Sequence, residues 1–241
     1  MLILEYIILV ICFIINVASV VLGAVLIRKD KEALLLGAAL VVRGTASSIS
    51  LLYSAALPFL VRVLPDETLA TISSGVSITS FILSLIFLVL ILAFLKKRMG
   101  GGIWIYPVVI ISELLRSFAY SRMFKYWYPI KTDIIRGNAY DKEALVKCIL
   151  LCAAVLLLIL VKNLVIIIVF YRGRNLMPRY SKISVFFAVL MCLSIASQFS
   201  FLIMNATVNE VINLAMTFVS AALWVAFEVY LISNSRRIET E

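Results

Sequence analysis

LVKCILLCAAVLLLILVKNLVIIIVFY, residues 145–171, is the stretch on which the fold turns. Its apolar residues run on without alternating. At 1.5 Å per residue, a helix of this length exceeds the roughly 30 Å of hydrocarbon in a bilayer. A barrel strand would show about ten residues of alternating character instead. Of the two lysines that interrupt the run, Lys147 sits near an end, where a long side chain snorkels to the interface. Lys162 has no such exit.

Working outward, six more segments have a similar reading: residues 2–27, 33–61, 69–95, 103–119, 183–204 and 208–232. The fourth is the shortest and most polar. The chain is 64% hydrophobic, where a soluble domain is about half apolar. Only helices and closed barrels satisfy their backbone in lipid. The expected fold is therefore all-α, a polytopic membrane helix bundle of about seven transmembrane helices. The opening MLILEYIILV carries Glu5 and no basic lead-in, so it is expected to be the first membrane helix and not a cleaved signal. Neither end shows a lipidation motif.

Basic residues orient the bundle. Arg28, Lys29 and Lys31 follow the first helix, and Lys96, Lys97 and Arg98 the third. Arg172, Arg174, Arg179 and Lys182 follow the fifth, and Arg236 and Arg237 the last. The other side has Arg62 and, in one longer loop, Arg122, Lys125, Lys131, Arg136 and Lys142. The positive-inside bias then places the N-terminus outside and the C-terminus in the cytoplasm. It also accounts for the net charge of +9 as anchoring against anionic lipid. No soluble basic domain is left to bind nucleic acid, and the lipid bilayer is the expected partner.

After the third helix comes KKRMGGG, residues 96–102. A basic cluster followed by glycines predicts a flexible joint, dividing the chain into a three-helix region, residues 1–98, and a four-helix region, residues 99–241. A phosphate cradle would need a flanking strand that is absent here. The long loop over residues 120–143 holds Tyr120, Phe124, Tyr126, Trp127, Tyr128 and Tyr140. These are expected to anchor at headgroup depth; a short interfacial helix capping an outward cavity is the other reading. The sequon at Asn205 falls in a very short loop and is read as a chance match.

From Gly101 onward the sequence resembles the DUF2569 family of bacterial four-helix membrane proteins. The resemblance runs through Gly101-Gly102-Ile103-Trp104 with Pro107, Gly137 and Tyr140 in the outer loop, and Phe170-Tyr171-Arg172 followed by Met177-Pro178-Arg179. It ends with Trp224, Tyr230 and Ser235-Arg236-Arg237-Ile238. Ile103 departs from the family's spacing, as do the aromatics of the last helix, and Glu113 and Arg116 are not expected there. The resemblance covers about the last 140 residues. It implies a four-helix fold and the bacterial inner membrane, and it carries over no activity and no catalytic residue.

Charged groups at bilayer depth are costly and mark candidate sites. They are Arg43, Glu113 and Arg116 (three apart on one helix face), Lys162 with Asn163 beside it, and Glu228. The expectation is that they meet in one intramembrane polar network. Polar residues also fall on stripes: Arg43, Ser47, Ser50 and Ser54; Ser73, Ser77, Ser80 and Ser84; Asn213, Thr217, Ser220, Trp224 and Glu228. The i, i+4, i+7, i+11 spacing puts each set on one helix face, which in lipid should turn inward. Either these faces are seams where small residues let helices approach, with the carboxylates neutralising some of the cations, or they line a wet cavity for a small solute. Three cations against two carboxylates favour an anion.

Enzymatic readings fare poorly. The chain has no histidine, so a triad or zinc site lacks its usual base or ligand. The four cysteines, Cys12, Cys148, Cys152 and Cys192, all lie in apolar runs and suggest neither metal nor a disulfide framework. No cofactor is expected, and the protein is expected not to be an enzyme. The leading expectation is a non-enzymatic accessory or structural component of the inner membrane that associates with other membrane proteins. The second is a small-solute, anion-favouring transporter or channel-like protein using the charge network. The third is a seven-helix sensor acting through a partner.

Overall fold

The computed structural model describes residues 2–136, 138–178, 181–202 and 206–235. Among these residues there are seven α-helices and no strand: α1 (Leu2–Lys29), α2 (Leu34–Val63), α3 (Asp66–Arg98), α4 (Ile105–Arg136), α5 (Lys142–Arg172), α6 (Ile183–Phe199) and α7 (Ala206–Ser235). Short 3₁₀ turns follow α5 and α6. Five of the helices are long and apolar enough to cross a membrane. α6, at 17 residues, is shorter, and α4 carries Glu113 and Arg116 in its first half and Arg122 just past its middle. On α1, Ile7, Ile14 and Val21 are spaced by seven and all exposed. A stripe of that kind suits lipid and not water. The helices fit a multi-pass membrane protein.

A tight turn joins α1 to α2. The Asp30 carboxylate accepts from the backbone N–H of Glu32 at 2.8 Å and of Ala33 at 3.3 Å, turning α1 into α2. α1 and α2 then cross backbone to backbone. A Cβ on Gly37 would lie 2.9 Å from the Gly23 carbonyl oxygen and 2.8 Å from Ile27. One glycine facing another is what lets membrane helices approach this closely. α3 begins with Asp66 and Glu67 and ends with Lys96, Lys97 and Arg98, a charge order that complements the helix dipole.

Two sequence expectations are corrected. The glycine run is a fixed cap and not a flexible joint. The Leu95 carbonyl accepts from both Met99 and Gly101 at 3.0 Å, and Gly100 takes φ +69°, a conformation glycine adopts without strain. Gly173 closes on it, since a Cβ there would sit 2.7 Å from that of Met99. Nor are residues 120–136 a loop. They continue α4 without a break, because Met123, Trp127 and Ile130 pack with Cys148 of α5 in a second apolar cluster. Trp127 is therefore buried in protein, while Tyr128 and Tyr140 are exposed. Gly137, Arg179, Asn205 and residues 236–238 lie outside the described residues.

The main core lies toward the end of the bundle where α3 stops and α4 starts. It joins Leu26, Leu36, Phe94, Val109, Phe170, Phe187 and Phe227, which come from all seven helices in turn. Phe170 stacks on Phe187 at 5.0 Å and meets Phe94 at 6.1 Å. Residues on both sides of the glycine run thus share one core. It plugs that end of the bundle and leaves the middle less filled.

Candidate functional site

The stripes converge above this core. A cavity of about 560 Å³ lies among α2, α3, α5, α6 and α7, with Asn16 of α1 at its edge. α2 contributes Arg43, Ser47 and Ser50; α3 contributes Ser80 and Ser84; α7 contributes Thr217, Ser220 and Trp224. Ser50 and Ser80 tie their helices together, Oγ to Oγ, at 3.0 Å. The inward-facing expectation holds for these positions. Ser54, Ser73, Ser77 and Asn213 are not part of the lining. Ser54 and Ser77 are exposed, and Asn213 instead donates to Asn209 and accepts from Ser200 at 2.6 Å.

Among the described residues, Arg43 is the charged one in the lining. Its guanidinium carbon stands 3.9 Å from the Trp224 ring centroid. A desolvated stack of this kind contributes about 2 kcal/mol and fixes the plane of the fork. Nη1 has no hydrogen-bond partner among the described residues. Phe87 and Phe187 flank Trp224 edge-on at 6.0 and 6.2 Å, so the cation stands on an aromatic floor with hydroxyls around it.

The expected single charge network is corrected: the structure divides it in two. In one part, Glu113 accepts from Arg116 Nη2 at 2.6 Å and Nε at 3.1 Å, and from Lys162 Nζ at 2.7 Å. Gln198 of α6 accepts from Arg116 Nη1 at 3.2 Å. This triad is saturated and does not line the cavity, although Gln198 and Asn163 do. Asn163 spends its amide on the Ile159 carbonyl of its own helix.

The other part is Arg43 with Glu228. Glu228 is 1% exposed, and neither carboxylate oxygen has a hydrogen-bond partner among the described residues. It shares an electrostatic interaction with Arg43 and lies close enough to the Ser19 hydroxyl of α1 to accept from it, but forms no ion pair among the described residues. The two parts differ because Glu113 and Arg116 share one helix turn that α5 covers, whereas Arg43 and Glu228 lie on two different helices, each packed against α1.

Sequence reasoning missed Asn16 and Ser19, and also Ser194, Ser197 and Gln198 of α6, all of which line or border the site. The signal was present: polar residues three and four apart on otherwise apolar helices. No group of cysteines and carboxylates suited to a metal ion occurs among the described residues, and the four cysteines are unbridged. No family model, no curated protein and no solved structure matches this chain.

Proposed function

We propose that this chain is a non-enzymatic, multi-pass membrane protein that binds a small organic anion in its central cavity, as a transporter or receptor would. The observation that carries the reading is Arg43: a cation in the lining, held flat on Trp224, whose buried Nη1 has no hydrogen-bond partner among the described residues. A guanidinium fork suits a carboxylate. The volume falls in the range of small-molecule sites, and Leu190, Met191 and Met216 beside the serines suit a short apolar body. The bundle is proposed to stand with its N-terminus outside and its C-terminus in the cytoplasm. The resemblance to DUF2569 adds a bacterial inner membrane to that proposal. The Glu113 triad, with its cations already matched, serves the bundle and not the ligand, which preserves the accessory reading for that half.

Hexanoate is a suitable probe, with uncharged hexanamide as control. Binding to the full chain in detergent micelles is expected for hexanoate alone. Arg43→Gln is expected to weaken it about 10- to 100-fold, the loss of one charge-assisted hydrogen-bonding group. Addition of phosphatidylglycerol separates the two sources of an anion: competition with hexanoate marks a lipid headgroup site. Equal binding of hexanamide, or no effect of Arg43→Gln, returns the protein to the accessory role.

A further inference from the structure

Glu228 has no place in the binding reading above, yet it is the least satisfied charged group in the bundle. At 1% exposure neither oxygen is in an ion pair or a close hydrogen bond among the described residues, and the Ser19 hydroxyl of α1 is the polar neighbour. An ionised carboxylate in that position needs a counter-charge, and Arg43 is the charge that faces it. Arg43, however, lies on Trp224, one helix turn before Glu228 on α7, with its own Nη1 unused. Two oxygens of α1 can accept, the buried Asn16 Oδ1 and Ser19 Oγ, which have no close partner among the described residues, and the Ser19 hydroxyl can also donate to the ionised carboxylate. Asn16 donates one amide hydrogen to the Cys12 carbonyl at 2.7 Å, and its Oδ1 is left as an acceptor.

We propose that Glu228 is a proton-binding site coupled to the cavity, so that one anion enters together with one proton. This rests on the reading of the cavity as an anion site. With the cavity empty, the Arg43 guanidinium and the Glu228 carboxylate sum to zero. An anion seated on Arg43 leaves a bare carboxylate in a dry interface. A proton from water on Glu228 restores the sum to zero, and the resulting carboxylic acid gains an O–H that suits the spare acceptors on α1. No bond in the anion is made or broken.

The groups facing Glu228 are few. α2 presents Arg43. α1 presents Ser19, with Asn16 and Cys12 along the same face. α6 packs on α7 through Phe186 and Phe187, which do not titrate.

The test reads protons directly. Hexanoate is added to the wild-type full chain in weakly buffered micelles with a pH indicator, and uptake of about one proton per hexanoate bound is expected, with affinity falling up to about tenfold per unit rise in pH. Glu228→Gln is expected to bind hexanoate with no proton uptake and a flat pH profile. Hexanoate bound by the wild type without proton uptake overturns the coupling and leaves the anion site standing. Absence of hexanoate binding to the wild type overturns the anion site beneath it. Because the wild-type measurement decides the question, a poorly folding Glu228→Gln does not obscure the result.

Discussion

Lys162 on α5 donates to Glu113 on α4 at 2.7 Å, while the other oxygen of the same carboxylate takes Arg116 at 2.6 Å. One anion therefore holds two cations, and α4 and α5 are joined at the point where α4 is most polar. This is how a helix with Glu113 and Arg116 in its first half can stand inside an apolar bundle.

Glu113→Gln leaves Arg116 and Lys162 side by side without their anion. Breaking a buried pair in this way costs about 3–5 kcal/mol, which for a chain of this size lowers the melting temperature by about 10 °C. Lys162→Met leaves the Arg116 pair intact and is expected to cost less. Thermal unfolding in micelles checks both. Hexanoate affinity per folded molecule should stay unchanged in Lys162→Met; a loss there would join the triad to the binding site.

Gly37→Ala is expected to destabilise by about 1–3 kcal/mol, because the added methyl meets the Gly23 carbonyl and Ile27 below 3.0 Å and the α1–α2 seam must open. Gly37→Val should cost more. Thermal unfolding of both variants is the measurement, and wild-type stability in Gly37→Val would mean that the two backbones do not touch.

Gly75 and Gly100 should respond in opposite directions. Nothing lies within 4 Å of a Cβ on Gly75, inside α3, so Gly75→Ala is expected to stabilise by about 0.5–1 kcal/mol through helix propensity. Gly100 holds φ +69°, and Gly100→Ala is expected to cost about 1–2 kcal/mol. A neutral Gly100→Ala would restore the flexible joint that the glycine run first suggested.

Orientation is read by labelling from either side. In a cysteine-free background, Lys97→Cys should react with an impermeant maleimide only after the cells are opened, and Tyr140→Cys in intact cells. The opposite pattern inverts the bundle.

Much of the fold was legible along the chain. Each helix shows as an apolar run, and the observed ends of α1, α2, α3, α5 and α7 lie within a few residues of those runs. α4 was read too short because Lys125, Lys131 and Arg136 look like a loop, while Met123, Trp127 and Ile130 bury a face only where α5 lies alongside. The stripes were legible in part. Ser47, Ser50, Ser80, Ser84, Thr217 and Ser220 do share a cavity, since spacing along a helix fixes which residues look the same way. Spacing does not say how far along the helix the neighbour covers that face, so Ser54 and Ser77 come out exposed.

The sequence by itself determined that the chain is a bundle of apolar helices suited to a membrane. The length and polarity of a segment are local properties, and lipid leaves the backbone little choice but a helix. The tertiary structure alone decided that five of the six candidate residues fall into two groups, one saturated around Glu113 and one of Arg43 with Glu228, while Asn163 bonds to its own helix. That outcome depends on how each helix is rotated and how closely it crosses its neighbour. The glycine seam between α1 and α2 sets the close crossing that turns the Asn16 and Ser19 face of α1 toward the Arg43 and Glu228 pair, and no reading of either helix alone contains that rotation.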